Sequence, residues 1–263
     1  MLDYGSKGYW QKYYHDSVVK GQIYAEEWLC SKEELSSFLA KLLTPRTCIL
    51  ITGCGMSQLG EKIYDQNECR DITCLDWSDD VVKYKAKKNS RARAGMQYHL
   101  ADMMEQISFS HFGFDVVLDK GMFDCVMCRR DARTASQAVI RNAAAMLRPE
   151  GKYVIVSSAA PDERLPLFTF VNSPWASVEV YHAPKATLSD ARAGNLPDGE
   201  LIKTEWLKEP SPEDPMTWRL HDDHIFLYVL QKERGRSLEE ELAIFEGIDA
   251  VAPSAEYGSL EAD

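Results

Sequence analysis

The stretch Cys48-Ile49-Leu50-Ile51-Thr52-Gly53-Cys54-Gly55-Met56-Ser57-Gln58-Leu59 decides how this chain is read. An apolar, β-branched run enters a G-x-G turn and a helical pattern follows at once. A strand, a tight turn and a helix N-terminus therefore stand in series. At Gly53 and Gly55 no Cβ keeps the backbone away from a ligand. The next apolar run, Ile72-Thr73-Cys74-Leu75, ends in Asp76. That acid falls about twenty residues past the turn, where a carboxylate meets ribose hydroxyls. The pattern predicts a site for a nucleoside-containing cofactor.

Upstream, Ser31 and Glu34 form a capping box, and Leu35, Phe38, Leu39 and Leu42 make an apolar stripe that predicts a helix through Leu43. Pro45 ends it. Downstream, a helix is expected over Ser57 to Asp65, and Ser78 caps a basic helix over Val81 to Asn89. A short strand, Met96 to Leu100, leads to Asp102, and Phe114 to Asp119 reads as a buried strand. A helix, clearest over Thr134 to Leu147, is followed by a sharp turn at Arg148-Pro149-Glu150-Gly151 and a strand from Lys152 to Ser157. This alternation predicts a doubly wound α/β sheet, Rossmann-like and mostly parallel. Val178 to Tyr181 and Ile225 to Leu230 add an antiparallel pair, making seven strands. The expected organisation is one domain over 1–234, with an aromatic arm at 1–30 and an insert at 182–223 rich in Pro, Gly and acids. The acidic tail, 235–263, is expected to be mobile, with a helix-like piece from Leu238 to Phe245.

Composition narrows the function. A formal net charge of −11 over 263 residues argues against non-specific nucleic-acid binding. No apolar run is long enough to cross a bilayer, and the start lacks a signal-peptide pattern, so a cytoplasmic protein is expected. Cys125 and Cys128 form a C-x-x-C with no second pair at ligand spacing. They read as helix packing, with no metal site expected.

Four points recur at the carboxyl ends of successive strands: Gly53/Gly55, Asp76, Asp102 and Asp119. In an open α/β sheet that edge binds ligands. Asp76 suits both ribose hydroxyls, Asp102 an adenine amino group, Met103 N–H a ring nitrogen, and Trp77 the flat face of a base. Asp119 is expected to face the reacting centre. A dinucleotide fingerprint would need a third glycine where Gln58 stands, which disfavours a dehydrogenase.

The segments YWQKYY, ITGCGMSQL, CLDWSDDVV, FDVVLDKGMFD and LRPEGKYVIVS resemble the methyltransferase-like family that includes the lysine methyltransferases of elongation factor 1-alpha. The resemblance covers about residues 9 to 165 and the strand Phe226 to Lys232. It implies S-adenosylmethionine as cofactor, a protein lysine as acceptor and no nucleic acid or membrane partner. By resemblance, Trp10, Tyr14 and Trp28 would close over the cofactor. Gly53, Gly55, Asp76, Trp77, Asp102, Met103, Asp119 and Lys120 would bind it. Asp119 and Asp124 would orient the acceptor amine; a carboxylate there favours the ammonium and is no strong base. Met56 stands where the family often has Asn, and Met122-Phe123 where it has Thr-Leu. Two rivals remain, a small-molecule methyltransferase and a cofactor-binding scaffold without activity.

Overall fold

A computed structural model describes residues 3–21, 27–105, 107, 113–170, 173–184, 207–208 and 224–235. The elements in chain order are α1 (Lys7–Val19), α2 (Lys32–Leu42), β1 (Cys48–Thr52), α3 (Leu59–Asp65), β2 (Asp71–Asp76), α4 (Asp79–Asn89), β3 (Met96–Leu100) and β4 (Phe114–Lys120). There follow α5 (Met122–Met127), α6 (Ala132–Met146), β5 (Leu147–Ser157), α7 (Pro161–Phe168), β6 (Trp175–Pro184), β7 (Leu207–Lys208) and β8 (His224–Lys232).

One sheet runs in the order β3-β2-β1-β4-β5-β8-β6-β7. Its first five strands pair in parallel, and β8 lies antiparallel between β5 and β6. Side chains alternate across each strand, so the two faces feed two cores. Ile49, Ile51, Val116 and Leu118 pack with α1 to α4. Leu50, Val117, Tyr153 and Ile155 pack with α5 to α7. The inner strands β1, β2 and β4 are buried on both sides, as a parallel sheet requires, while the edge strand β3 is partly exposed.

The predicted local signals are present. The Ser31/Glu34 capping box starts α2, and the Ser78 hydroxyl accepts from Val81 N–H to start α4. Three features differ from the sequence reading. Within the aromatic arm, Lys7–Val19 forms a helix, α1, capped by Ser6. Its aromatics lie on several sides, so no single apolar stripe announces it. The Arg148–Gly151 turn lies inside β5 as an irregularity, with Glu150 at φ +63° and the β4 register shifting between Phe114 and Val116. Finally, β6 runs on through Pro184, and the two residues of β7 add an eighth, edge strand to the seven expected. The rest of the expected insert, and the tail with its helix-like piece, fall outside the described residues. No helix among the described residues is long and apolar enough to cross a membrane.

Candidate active site

The parallel order brings the carboxyl ends of β1, β2, β3 and β4 to one edge, and a cavity of about 380 Å³ opens there. That volume lies in the range of small-molecule sites. Of the expected residues, Trp10, Tyr14, Trp28, Gly53, Asp76, Trp77, Asp102, Met103, Lys120 and Asp124 line it; Gly55 and Asp119 do not.

At the β2–β3 side, Asp76 ends β2 and is 5% exposed. Its Oδ2 accepts from Gly55 N–H at 2.8 Å and its Oδ1 from Ser78 N–H at 2.9 Å. Each oxygen keeps acceptor capacity for one more donor. Burial pushes this carboxyl up to about 6, against the lowering pull of the backbone N–H groups. Asp102 follows β3; its Oδ1 accepts from Met104 N–H at 2.9 Å, and its Oδ2 meets Lys7 Nζ at 3.3 Å. Leu75, Trp77, Ala101 and Met103 supply the apolar walls between the two acids.

The aromatic arm roofs this side. Trp10 and Tyr14, one turn apart on α1, stack with ring centres 5.7 Å apart. Trp28 meets Trp10 edge-on at 5.8 Å, and Trp10 Nε1–H donates to the Tyr4 carbonyl at 2.8 Å. The arm also explains the glycine turn. Gly53 and Gly55 have φ of +57° and +47°. A Cβ at Gly53 would lie 2.5 Å from the Met122 side chain, and one at Gly55 would lie 2.5 Å from the Tyr14 hydroxyl. Gly55 is therefore covered by Tyr14 and lies off the cavity. The room it leaves is taken by the protein's own roof.

At the β4–β5 side the expectation for Asp119 is corrected. It is fully buried and points beneath the cavity. Both its oxygens accept from Phe123 N–H at 3.1 Å, and Oδ2 accepts from Tyr153 Oη–H at 3.3 Å. Burial, with a smaller contribution from the Asp124 charge, pushes its carboxyl up to about 7. Asp119 fastens the start of α5 to the end of β4 and does not line the cavity. Asp124 does reach the cavity, but four donors already hold it: Ser157 Oγ, Ser158 N–H at 2.8 Å, Ser158 Oγ at 3.1 Å and Arg164 Nη2 at 3.0 Å.

Lys120 lines the cavity wall, but its ammonium is turned away. It donates to the Trp28 carbonyl at 2.8 Å and pairs with Glu27 Oε2 at 3.0 Å. Cys125 and Cys128 line the acceptor side. Burial pushes the Cys125 thiol up to about 12, which leaves it unreactive. Among the described residues no three His, Cys, Asp or Glu side chains converge as metal ligands.

Several residues escaped the sequence reading: Tyr4, Lys7, Leu29, Met122, Ser158 and, behind Asp124, Arg164. Lys7, Met122, Ser158 and Arg164 carry no local signal, because Lys7 meets Asp102, Met122 lies against Gly53, and Ser158 and Arg164 hold Asp124, all far along the chain. The arrangement fits an adenosine-bearing ligand. Asp76 has spare acceptors for two hydroxyls, Asp102 lies one strand further out, and an apolar slot separates them from the reacting end over β4.

Comparison with known proteins agrees with this geometry. A methyltransferase domain model matches residues 44–208, more than half of the chain. The eEF1A lysine and N-terminal methyltransferase of Homo sapiens is 34% identical over 159 residues, covering 60% of this chain and 22% of that protein. The chain thus spans about a fifth of the length of that relative. The mitochondrial citrate synthase-lysine N-methyltransferase of Danio rerio is 26% identical over 183 residues, covering 63% of this chain and 71% of that protein. Among solved structures, phosphoethanolamine N-methyltransferase 2 of Haemonchus contortus superposes with a TM-score of 0.50 at 12% identity, covering 87% of this chain and 58% of that one. At that identity the likeness is one of fold. The chain belongs to the methyltransferase domain family, whose cofactor is S-adenosylmethionine.

Proposed function

We propose that this protein transfers a methyl group from S-adenosylmethionine to a lysine amine of a protein substrate, in the cytoplasm. The observation that carries the transfer is the division of the cavity: open acceptors at Asp76 and Asp102 on one side, and a saturated Asp124 beside Ser158 on the other. Relatives named as lysine methyltransferases support the acceptor class. All seven cysteines fall among the described residues and none forms a disulfide, which suits a reducing compartment.

When bound, the sulfonium cofactor supplies an electrophilic methyl group. The chain's task is then to hold donor and acceptor in line at near-contact distance. Asp76 would accept from the ribose hydroxyls, and Asp102 and Trp77 would seat the base. Asp124 is held in place by four donors, among them the Arg164 guanidinium. Its part is to orient an incoming amine by charge, while desolvation between Met122, Val126 and Trp28 favours the neutral, nucleophilic form.

The deciding experiment incubates the protein with methyl-labelled S-adenosylmethionine and a cell lysate, separates the products by size and maps the label. Label on lysines of a protein supports the proposal. Label confined to the small-molecule fraction would overturn it in favour of the second reading, which the methionine-rich lining at Met103, Met104 and Met122 favours. A thermal shift with S-adenosylhomocysteine is the companion measurement, since a ligand that binds only the folded state stabilises it by mass action.

A further inference from the structure

The four residues before the α2 capping box form a strap across the cavity mouth. Trp28 and Leu29 line the cavity, although Trp28 remains 44% exposed. Cys30 N–H donates to the Trp28 carbonyl at 2.8 Å, closing a three-residue turn with Leu29 at its centre at φ +66°. For a bulky residue that left-handed conformation is strained, and this form of the γ-turn is rare. Such a turn persists only where surrounding contacts over-determine it.

Two side chains supply those contacts. Glu27 Oε1 accepts from Gln58 N–H at 2.8 Å, and its Oε2 accepts from Ser57 Oγ at 2.8 Å. Lys120, whose side chain is 5% exposed, pairs with the same Oε2 at 3.0 Å and donates to the Trp28 carbonyl at 2.8 Å. The strap is therefore tied at once to the start of α3, just past the glycine turn, and to the end of β4. Below it, Gly121 takes φ +87°, a conformation that favours glycine, and packs at ordinary contact distance under Leu29.

We propose that Glu27 and Lys120 act as a latch that seats the strap, and that this seating sets how tightly the donor is held. Both are positioning residues: neither charge is spent on the donor. The pair works as a unit, because removing one charge leaves the other shielded from water without its partner. If the seated form is the competent one, apparent affinity falls with its population. The affinity half of the proposal rests on the methyltransferase reading; the latch itself does not.

The test uses the whole protein as wild type, Glu27→Gln, Lys120→Met and the double variant. Hydrogen exchange without ligand reads the latch. The Cys30 and Gln58 amides are expected to exchange about tenfold faster in either variant, with β1 and β4 amides unchanged. Unchanged exchange at both amides would overturn the latch. Calorimetry with S-adenosylhomocysteine reads its purpose. Each single variant is expected to bind about tenfold more weakly, and the double variant no more weakly than the worse single. Additive losses, or a loss in Lys120→Met with wild-type binding in Glu27→Gln, would make Lys120 a direct donor contact and overturn the proposal. Wild-type protein that fails to bind S-adenosylhomocysteine would sink the affinity half together with the methyltransferase reading, while the exchange result still decides the latch.

Discussion

The two sides of the cavity use the same side chain in opposite ways. Asp76 and Asp102 end or follow strands β2 and β3 and keep acceptor capacity facing the cavity. Asp124 on α5 has its oxygens filled by four of the protein's own donors, and Asp119 at the end of β4 is fully buried off the cavity, held by Phe123 N–H and the Tyr153 hydroxyl. An aspartate at a strand's carboxyl end is thus a ligand acceptor or an internal staple. The choice is made by what the following helix and the neighbouring strand offer it. On the proposed function, the first side grips the donor and the second aligns the acceptor.

The contrast can be broken most sharply at Asp76. Asp76→Ala is expected to weaken S-adenosylhomocysteine binding by about a hundredfold or more, because two charge-assisted hydrogen bonds are lost together. Calorimetry checks it, and retained affinity would move the ribose site elsewhere. Asp124→Ala is expected to cost about 3 kcal/mol of stability, since the buried Arg164 loses its counter-charge. Chemical denaturation reads that cost, and turnover should fall with it. Asp119→Ala is expected to cost about 2 kcal/mol of stability by stranding the Phe123 N–H and Tyr153 hydroxyl, while donor affinity changes by less than about threefold. A binding loss as deep as that of Asp76→Ala would erase the distinction between the two sides.

The smallest effect is in pH. Asp76 and Asp119 both have carboxyls raised in the folded state, to about 6 and about 7. The fold therefore favours their protonated forms. Their stabilising contribution is full below the unfolded carboxylate value near 4 and is lost as pH rises through 6 and 7. The melting temperature of the free protein should slope downward over that window, and Asp119→Asn should flatten the slope. Donor affinity should run the other way, rising through about pH 6 as Asp76 ionises to accept two hydroxyls.

What could be read from the chain follows the range of each interaction. The glycine turn, the Ser31/Glu34 box, the Ser78 cap and the strand Met96–Leu100 are written within a few residues, and all stand where the sequence puts them. The fates of Asp119 and Asp124 were not legible, because Tyr153 and Arg164 lie 34 and 40 residues away. Lys7 meets Asp102 across 95 residues, and nothing near either one announces the other. The glycines were located correctly, but their reason was only half visible: the Met122 and Tyr14 side chains crowd them from distant segments. Strand β7, two residues long, offers no periodicity to detect.

The Lys7–Asp102 pair has an effect on timing. It joins a 41% exposed ammonium to a 7% exposed carboxylate across the seam between α1 and the sheet. Half of this joint is open to dissolved ions, and screening acts over a Debye length of about 8 Å at physiological ionic strength. The seam near the base should loosen as salt is added, whereas the shielded Glu27–Lys120 pair should not. Ionic strength would then govern how long a spent donor lingers before it is exchanged, with little effect on the chemical step.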